Sequence, residues 1–126
     1  MTKRLLIADD ARVIREIIKA AAARAGWEIV GEAANGREAA DLYLATRPDV
    51  CTLDLVMPDF DGLYALRAIR AAVTNAKVVV VTALEQATVL REAMKLGASD
   101  FLVKPFSPPK LLECLERQLP AVAACP

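Results

Sequence analysis

Lys77-Val78-Val79-Val80-Val81-Thr82 decides the architecture. Four consecutive valines leave a strand without a polar face. A strand apolar on both faces belongs inside a parallel sheet that is covered by helices on each side. Parallel strands need crossover connections, so helical patterns should flank the run. Upstream, about Gly62 to Ala72 carries Leu63, Leu66 and Ile69 at helical spacing, with Asp61 placed to cap it. Downstream, about Gln86 to Leu96 is the next helix, and Gly97 ends it.

The alternation continues to both ends of the chain. Lys3 to Ala8 is the first strand. The first helix runs from about Ala11 to Ala25, with Val13, Ile14, Ile17, Ile18 and Ala21 as one buried face and Gly26 as its stop. Glu28 to Ala33 is the second strand. Asn35 caps the second helix, with Glu38 as the reciprocal partner. Asn35-Gly36 also fits a hairpin turn, but the pattern Ala39, Leu42, Tyr43 favours the helix. Pro48 closes that helix, and Asp49 to Leu53 is the third strand. Ser99 to Val103 is the fifth strand; Ser107 caps a fifth helix that begins with Pro108 and reaches about Leu119. The result is a βα unit repeated five times, hence a parallel sheet with right-handed crossovers. No linker or repeat interrupts it. Residues 1–126 are expected to form one domain, with a core over about 3–119 and a loose tail over 120–126.

Composition excludes several function classes. Basic and acidic residues number 16 each and the formal net charge is zero, so nucleic acid and anionic membranes are not expected as direct partners. No apolar stretch is long enough for membrane insertion. Lys3-Arg4 and the short run after them reach Asp9 too soon for a signal peptide. Three scattered cysteines, Cys51, Cys114 and Cys125, read as free thiols in a reducing cytoplasm, with Cys51 as core filler. Histidine is absent, which removes Ser-His-Asp and Cys-His catalysis and histidine-ligated metal sites.

In open parallel sheets, sites form beyond the carboxyl ends of the strands. Those ends carry Asp9 and Asp10 on the first strand, Asp54 on the third, Thr82 on the fourth and Lys104 on the fifth. Each has an ordinary reading alone. Asp54 could cap a turn, Asp9-Asp10 could cap a helix, Thr82 could be a strand-end hydroxyl, and Lys104 a solvated lysine. Together they place three carboxylates, a hydroxyl and an ammonium in one cleft. Two like charges 4 Å apart repel by about 4 kcal/mol at an effective dielectric of 20. Such a cluster binds a cation or protonates. Oxygen-only ligands favour Mg2+, which likes a phosphate oxygen as a further ligand. An acid, Mg2+ and two donors are what an aspartyl-phosphate needs.

Asp9-Asp10, the stretch from Asp54 through Pro58 to Gly62, Thr82-Ala83 and Lys104-Pro105-Phe106 resemble the motifs of the response-regulator receiver family, the CheY-like domains of two-component signalling. The resemblance spans about Lys3 to Leu119. It implies a flavodoxin-like, doubly wound sheet of strand order 2-1-3-4-5, an order of which CheY is itself a standing example. It implies that Asp54 accepts a phosphoryl group from a phosphohistidine on a sensor histidine kinase. Asp10 would ligate Mg2+ directly, Asp9 largely through water, and the Val56 backbone carbonyl would be a further ligand. Lys104 would pair with the phosphoryl oxygens, and its bond to Pro105 would be cis. Thr82 would move toward the phosphate, with Phe101 swinging inward behind it.

Three details refine the expectation. Phe101 takes an aromatic switch position often held by tyrosine and lacks the hydroxyl. Val56 and Leu84, two past the acceptor and two past Thr82, cannot orient an attacking water, so self-dephosphorylation should be slow. The sequence stops soon after the fifth helix, so a standalone regulator would signal by docking a target protein. Helix four, strand five and helix five are the expected face, including Arg91, Met94, Lys95, Phe101 and Val103. A monomer is expected, and chemotaxis is the commonest setting by analogy. Alternatives are a receiver cut from a longer regulator and a docking module that is never phosphorylated. A phosphoaspartyl phosphatase would want an acid where Val56 stands, and no phosphate-binding Gly-rich loop is present.

Overall fold

The computed structural model describes residues 3–83 and 86–120. Leu84 and residues 121–126, Cys125 among them, lie outside the described residues. The elements alternate as β1 (Lys3–Ala8), α1 (Arg12–Arg24), β2 (Trp27–Ala33), α2 (Gly36–Thr46), β3 (Val50–Asp54), α3 (Gly62–Ala72), β4 (Val78–Ala83), α4 (Ala87–Lys95), β5 (Asp100–Lys104) and α5 (Pro108–Arg117). All strand pairs are parallel, in the order β2-β1-β3-β4-β5. This is the flavodoxin-like, doubly wound sheet. Among the described residues, no helix is long and apolar enough to cross a membrane.

The valine run explains the layering. Val78 and Val80 enter a core built with Ala39, Tyr43, Leu66, Ile69 and Ala93 of α2, α3 and α4. Val79 and Val81 enter the opposite core with Ile18 and Ala22 of α1 and with Leu111, Cys114 and Leu115 of α5. All four valines are essentially inaccessible to water. Cys51 is fully buried in β3, as core filler should be.

Helix starts follow the capping residues. Asn35 accepts from the Glu38 N–H at 2.9 Å, Asp61 from the Tyr64 N–H at 3.0 Å, and Ser107 from the Lys110 N–H at 3.3 Å. Glu38 reaches back to the Ala34 N–H at 2.8 Å, one residue before the cap. Gly26 and Gly97 follow α1 and α4 with φ of +89° and +103°, a region that favours glycine.

The face of α1 differs from the expectation. Val13 and Ile17 are 68% and 44% exposed. Ile18 and Ala22 are buried, with Ile14, Ala21 and Ala25 packed beside them. Ile14 and Ile18 stand about 100° round the helix from Val13 and Ile17. The apolar set in the sequence is wider than the stripe the sheet covers, and periodicity alone does not say which flank stays open.

Candidate functional site

Two strands, β1 and β3, deliver the acidic cluster. Ala8 pairs with Leu53 in register, so Asp9 emerges beside Asp54. One oxygen from each of Asp9, Asp10 and Asp54 lies within 4.8 Å of the others. Asp9 and Asp54 are buried and Asp10 is exposed. Ala83 pairs with Lys104 at the outer edge, which brings the lysine to the same rim. Its Nζ stands 3.0 Å from Asp9 Oδ2 and 3.5 Å from Asp54 Oδ2. The Lys104–Pro105 peptide is cis.

The turn after β3 is shaped by glycine. A Cβ on Gly62 would meet the Asp54 carbonyl oxygen, and the Leu55 Cα at 2.7 Å. The Gly62 N–H donates to the Leu55 carbonyl at 3.1 Å. The start of α3 therefore lies directly against the backbone that carries Asp54. Pro58 and Asp59 form the outside of this turn, both exposed. The Val56 N–H donates to Asp54 Oδ1 at 3.2 Å, and the Val56 side chain faces water.

The other sequence-predicted residues lie nearby without touching the acids. Thr82 follows Val81, the register partner of Asp54, and is buried; its hydroxyl makes a long 3.3 Å bond to the Ala83 carbonyl. Phe101 pairs with Val80 and is 44% exposed, so its ring lies outward. Ala11, rather than an aspartate, is the N-cap of α1, and Asp9 Oδ1 accepts from the Ala11 N–H at 2.9 Å.

The charges do not balance. Burial, and then the Asp9 charge, push the Asp54 carboxyl up to about 6, against the opposing pull of Lys104 and the Val56 N–H. Burial alone would lower the Lys104 ammonium, but its hydrogen bond to Asp9 and the charge of Asp54 outweigh that and raise it. Among the described residues, one ammonium, in contact with Asp9 and Asp54, thus faces a cluster of three carboxylates. An all-oxygen donor set with surplus negative charge fits a hard divalent cation such as Mg2+.

Sequence reasoning missed one contributor. Arg15 Nη1 donates to the Asp9 carbonyl at 2.7 Å, and its Nε to Glu32 Oε1 at 3.1 Å. In the sequence it reads as one more charge on a solvated helix face. Its place beside Ile14 and one turn past Ala11 was the only available signal.

Comparison with known proteins agrees with this geometry. The family model described as "Response regulator receiver domain" matches residues 5–116. The chain is 44% identical over 117 residues to the chemotaxis protein CheY of Thermotoga maritima, covering 93% of this chain and 98% of that protein. It is 38% identical over 119 residues to CheY of Bacillus subtilis, covering 94% and 99%. Among solved structures, a CheX-CheY-BeF3-Mg2+ complex from Borrelia burgdorferi aligns with a TM-score of 0.86 at 30% identity, over 91% of this chain and 87% of that one. The chain therefore belongs to the response regulator receiver domain family of two-component signalling, in its CheY-like form.

Proposed function

We propose that the chain is a phosphoacceptor switch working through Asp54. The observation that carries this reading is the clustering of Asp9, Asp10 and Asp54, with the Lys104 ammonium against Asp9 and Asp54. The phosphodonor in this reading is a phosphohistidine on a sensor histidine kinase, as membership of the receiver family supports. A carboxylate oxygen of Asp54 forms the new P–O bond as the P–N bond to the imidazole breaks. The departing imidazole nitrogen takes up a proton. Lys104 holds the phosphoryl oxygens by charge and hydrogen bonding. Asp9, Asp10, Asp54 and the Val56 carbonyl are the ligands proposed for Mg2+. When bound there, the ion supplies charge neutralisation for the transferring group.

Phosphorylation adds about −1.5 to −2 charge to the cleft. In this reading Thr82 turns toward that charge and Phe101 moves in from its exposed position. The output is a change in the face of α4, β5 and α5. Exposed Met94 and Phe101, with Arg91 and Lys95 at the surface, support a protein target there. The chain acts only on itself, as a monomeric receiver unit over about 3–119 in the cytoplasm. Val56 offers no polar side chain to orient water, so the phosphoryl group should persist well beyond seconds.

The test is intact mass after mixing with Mg2+ and acetyl phosphate, beside Asp54→Ala. A Mg2+-dependent gain of one phosphoryl group, absent from the variant, is expected. No gain under any condition would sink this reading.

A further inference from the structure

Asp9 is held at every polar atom. Its N–H donates to the Ala33 carbonyl at 3.0 Å. Its Oδ1 accepts from Ala11 N–H at 2.9 Å and its Oδ2 from Lys104 Nζ at 3.0 Å. Its carbonyl accepts from Arg15 at 2.7 Å. Arg15 is in turn fixed by Glu32 on β2, whose other oxygen accepts from Lys19 Nζ at 2.8 Å. The Arg15 side chain is only 17% exposed, so water competes poorly for these bonds.

We propose that Arg15, anchored by Glu32, is a positioning residue of the cation site. The Asp9 carbonyl and the Asp10 N–H belong to one planar peptide unit. Fixing the carbonyl fixes that plane, and with it the direction from which exposed Asp10 presents its carboxylate to Asp54. Arg15 uses two nitrogens of one rigid plane, which sets the angle between its bonds to Asp9 and to Glu32. This inference rests on the phosphoacceptor reading, because it concerns the same three acids.

Charge and positioning predict opposite signs. A cation near the site repels Mg2+, so by charge alone its removal should tighten Mg2+ binding. A positioning residue does the reverse. Partners that orient metal ligands are typically worth 10- to 100-fold in affinity.

The experiment is calorimetric titration of Mg2+ into the wild-type chain, Arg15→Ala and Arg15→Lys, with thermal unfolding of each without cation. Arg15→Ala should weaken Mg2+ binding about tenfold. Arg15→Lys should fall between the two, for an ammonium keeps the charge but lacks the rigid plane that sets the angle between the two bonds. A folded Arg15→Ala chain that binds Mg2+ as well as wild type, or better, overturns the proposal. If Arg15→Ala does not fold, Arg15→Lys decides alone at constant charge: weaker binding supports positioning, unchanged binding overturns it. A wild-type chain that fails to bind Mg2+ removes the phosphoacceptor reading too. The wild-type titration separates that failure from the first.

Discussion

Asp54 closes β3 at the carboxyl ends of the strands, and Asp100 opens β5 at their amino ends. Both are carboxylates largely withdrawn from water, and their surroundings treat them oppositely. Asp100 Oδ1 accepts from the Phe101 N–H at 2.8 Å. Its Oδ2 accepts from Arg117 Nη2 at 2.9 Å, Arg117 Nε at 3.2 Å and Gln118 Nε2 at 3.1 Å. Burial pushes the Asp100 carboxyl upward, but these donors outweigh it and hold it below the ordinary range. Asp54 has one backbone N–H at 3.2 Å and a distant share of Lys104, and burial pushes it up. A structural carboxylate is saturated with donors. Asp54 is left short of them, as the proposed phosphoacceptor role requires.

The largest expected effect tests the short supply directly. Lys104→Met removes the ammonium that contacts Asp9 and Asp54, and phosphoryl uptake from acetyl phosphate should slow about 10²- to 10³-fold. A mass time course measures it. A rate within a few fold of wild type would mean Asp54 does not depend on that donor.

The second effect concerns stability. The Asp54 carboxyl is raised in the folded chain to about 6 from 3.8. A raised carboxyl contributes stability when protonated, and that contribution is lost as pH rises from about 4 through 6. Two units correspond to about 3 kcal/mol at most. Asp54→Asn should therefore stabilise the cation-free chain at pH 7.5 by about 1–3 kcal/mol in urea unfolding, and the gain should fade below pH 5. A gain that persists at pH 4 would place its origin elsewhere.

The smallest effect is at the saturated acid. Asp100→Ala should lose about 1–2 kcal/mol at pH 7, because the Phe101 N–H loses its acceptor and the buried Gln118 amide keeps only the Cys114 carbonyl. The Asp100 carboxyl is lowered, so its contribution is present above its unfolded value and disappears as pH falls through the folded one. Urea unfolding at pH 7 and pH 3 should show the penalty shrinking. An equal penalty at both would make the contact one of packing, not charge.

The sheet and its acidic rim were legible for a simple reason. Apolar runs that end in Asp9-Asp10, Asp54, Thr82 and Lys104 mark both the strands and their carboxyl tips, and parallel pairing brings the tips to one edge. Side-chain contacts across elements left no such trace. Arg15 meets Glu32 and Arg117 meets Asp100 at a separation of 17 residues, and in sequence each is one charge among many. The outer flank of α1 was misread because Val13 and Ile17 continue an apolar pattern that the sheet does not cover.

The run Val78–Val81 has a mechanical consequence. Valine is stiff about its first side-chain torsion, so four buried valines offer almost no alternative packing. The middle of the sheet is a wall, not a lever. A change that starts at Asp54 and ends at the outer face of β5 has no compliant route through the two cores. It must run along the rim, where Thr82 and Lys104 sit near the tips of adjacent strands.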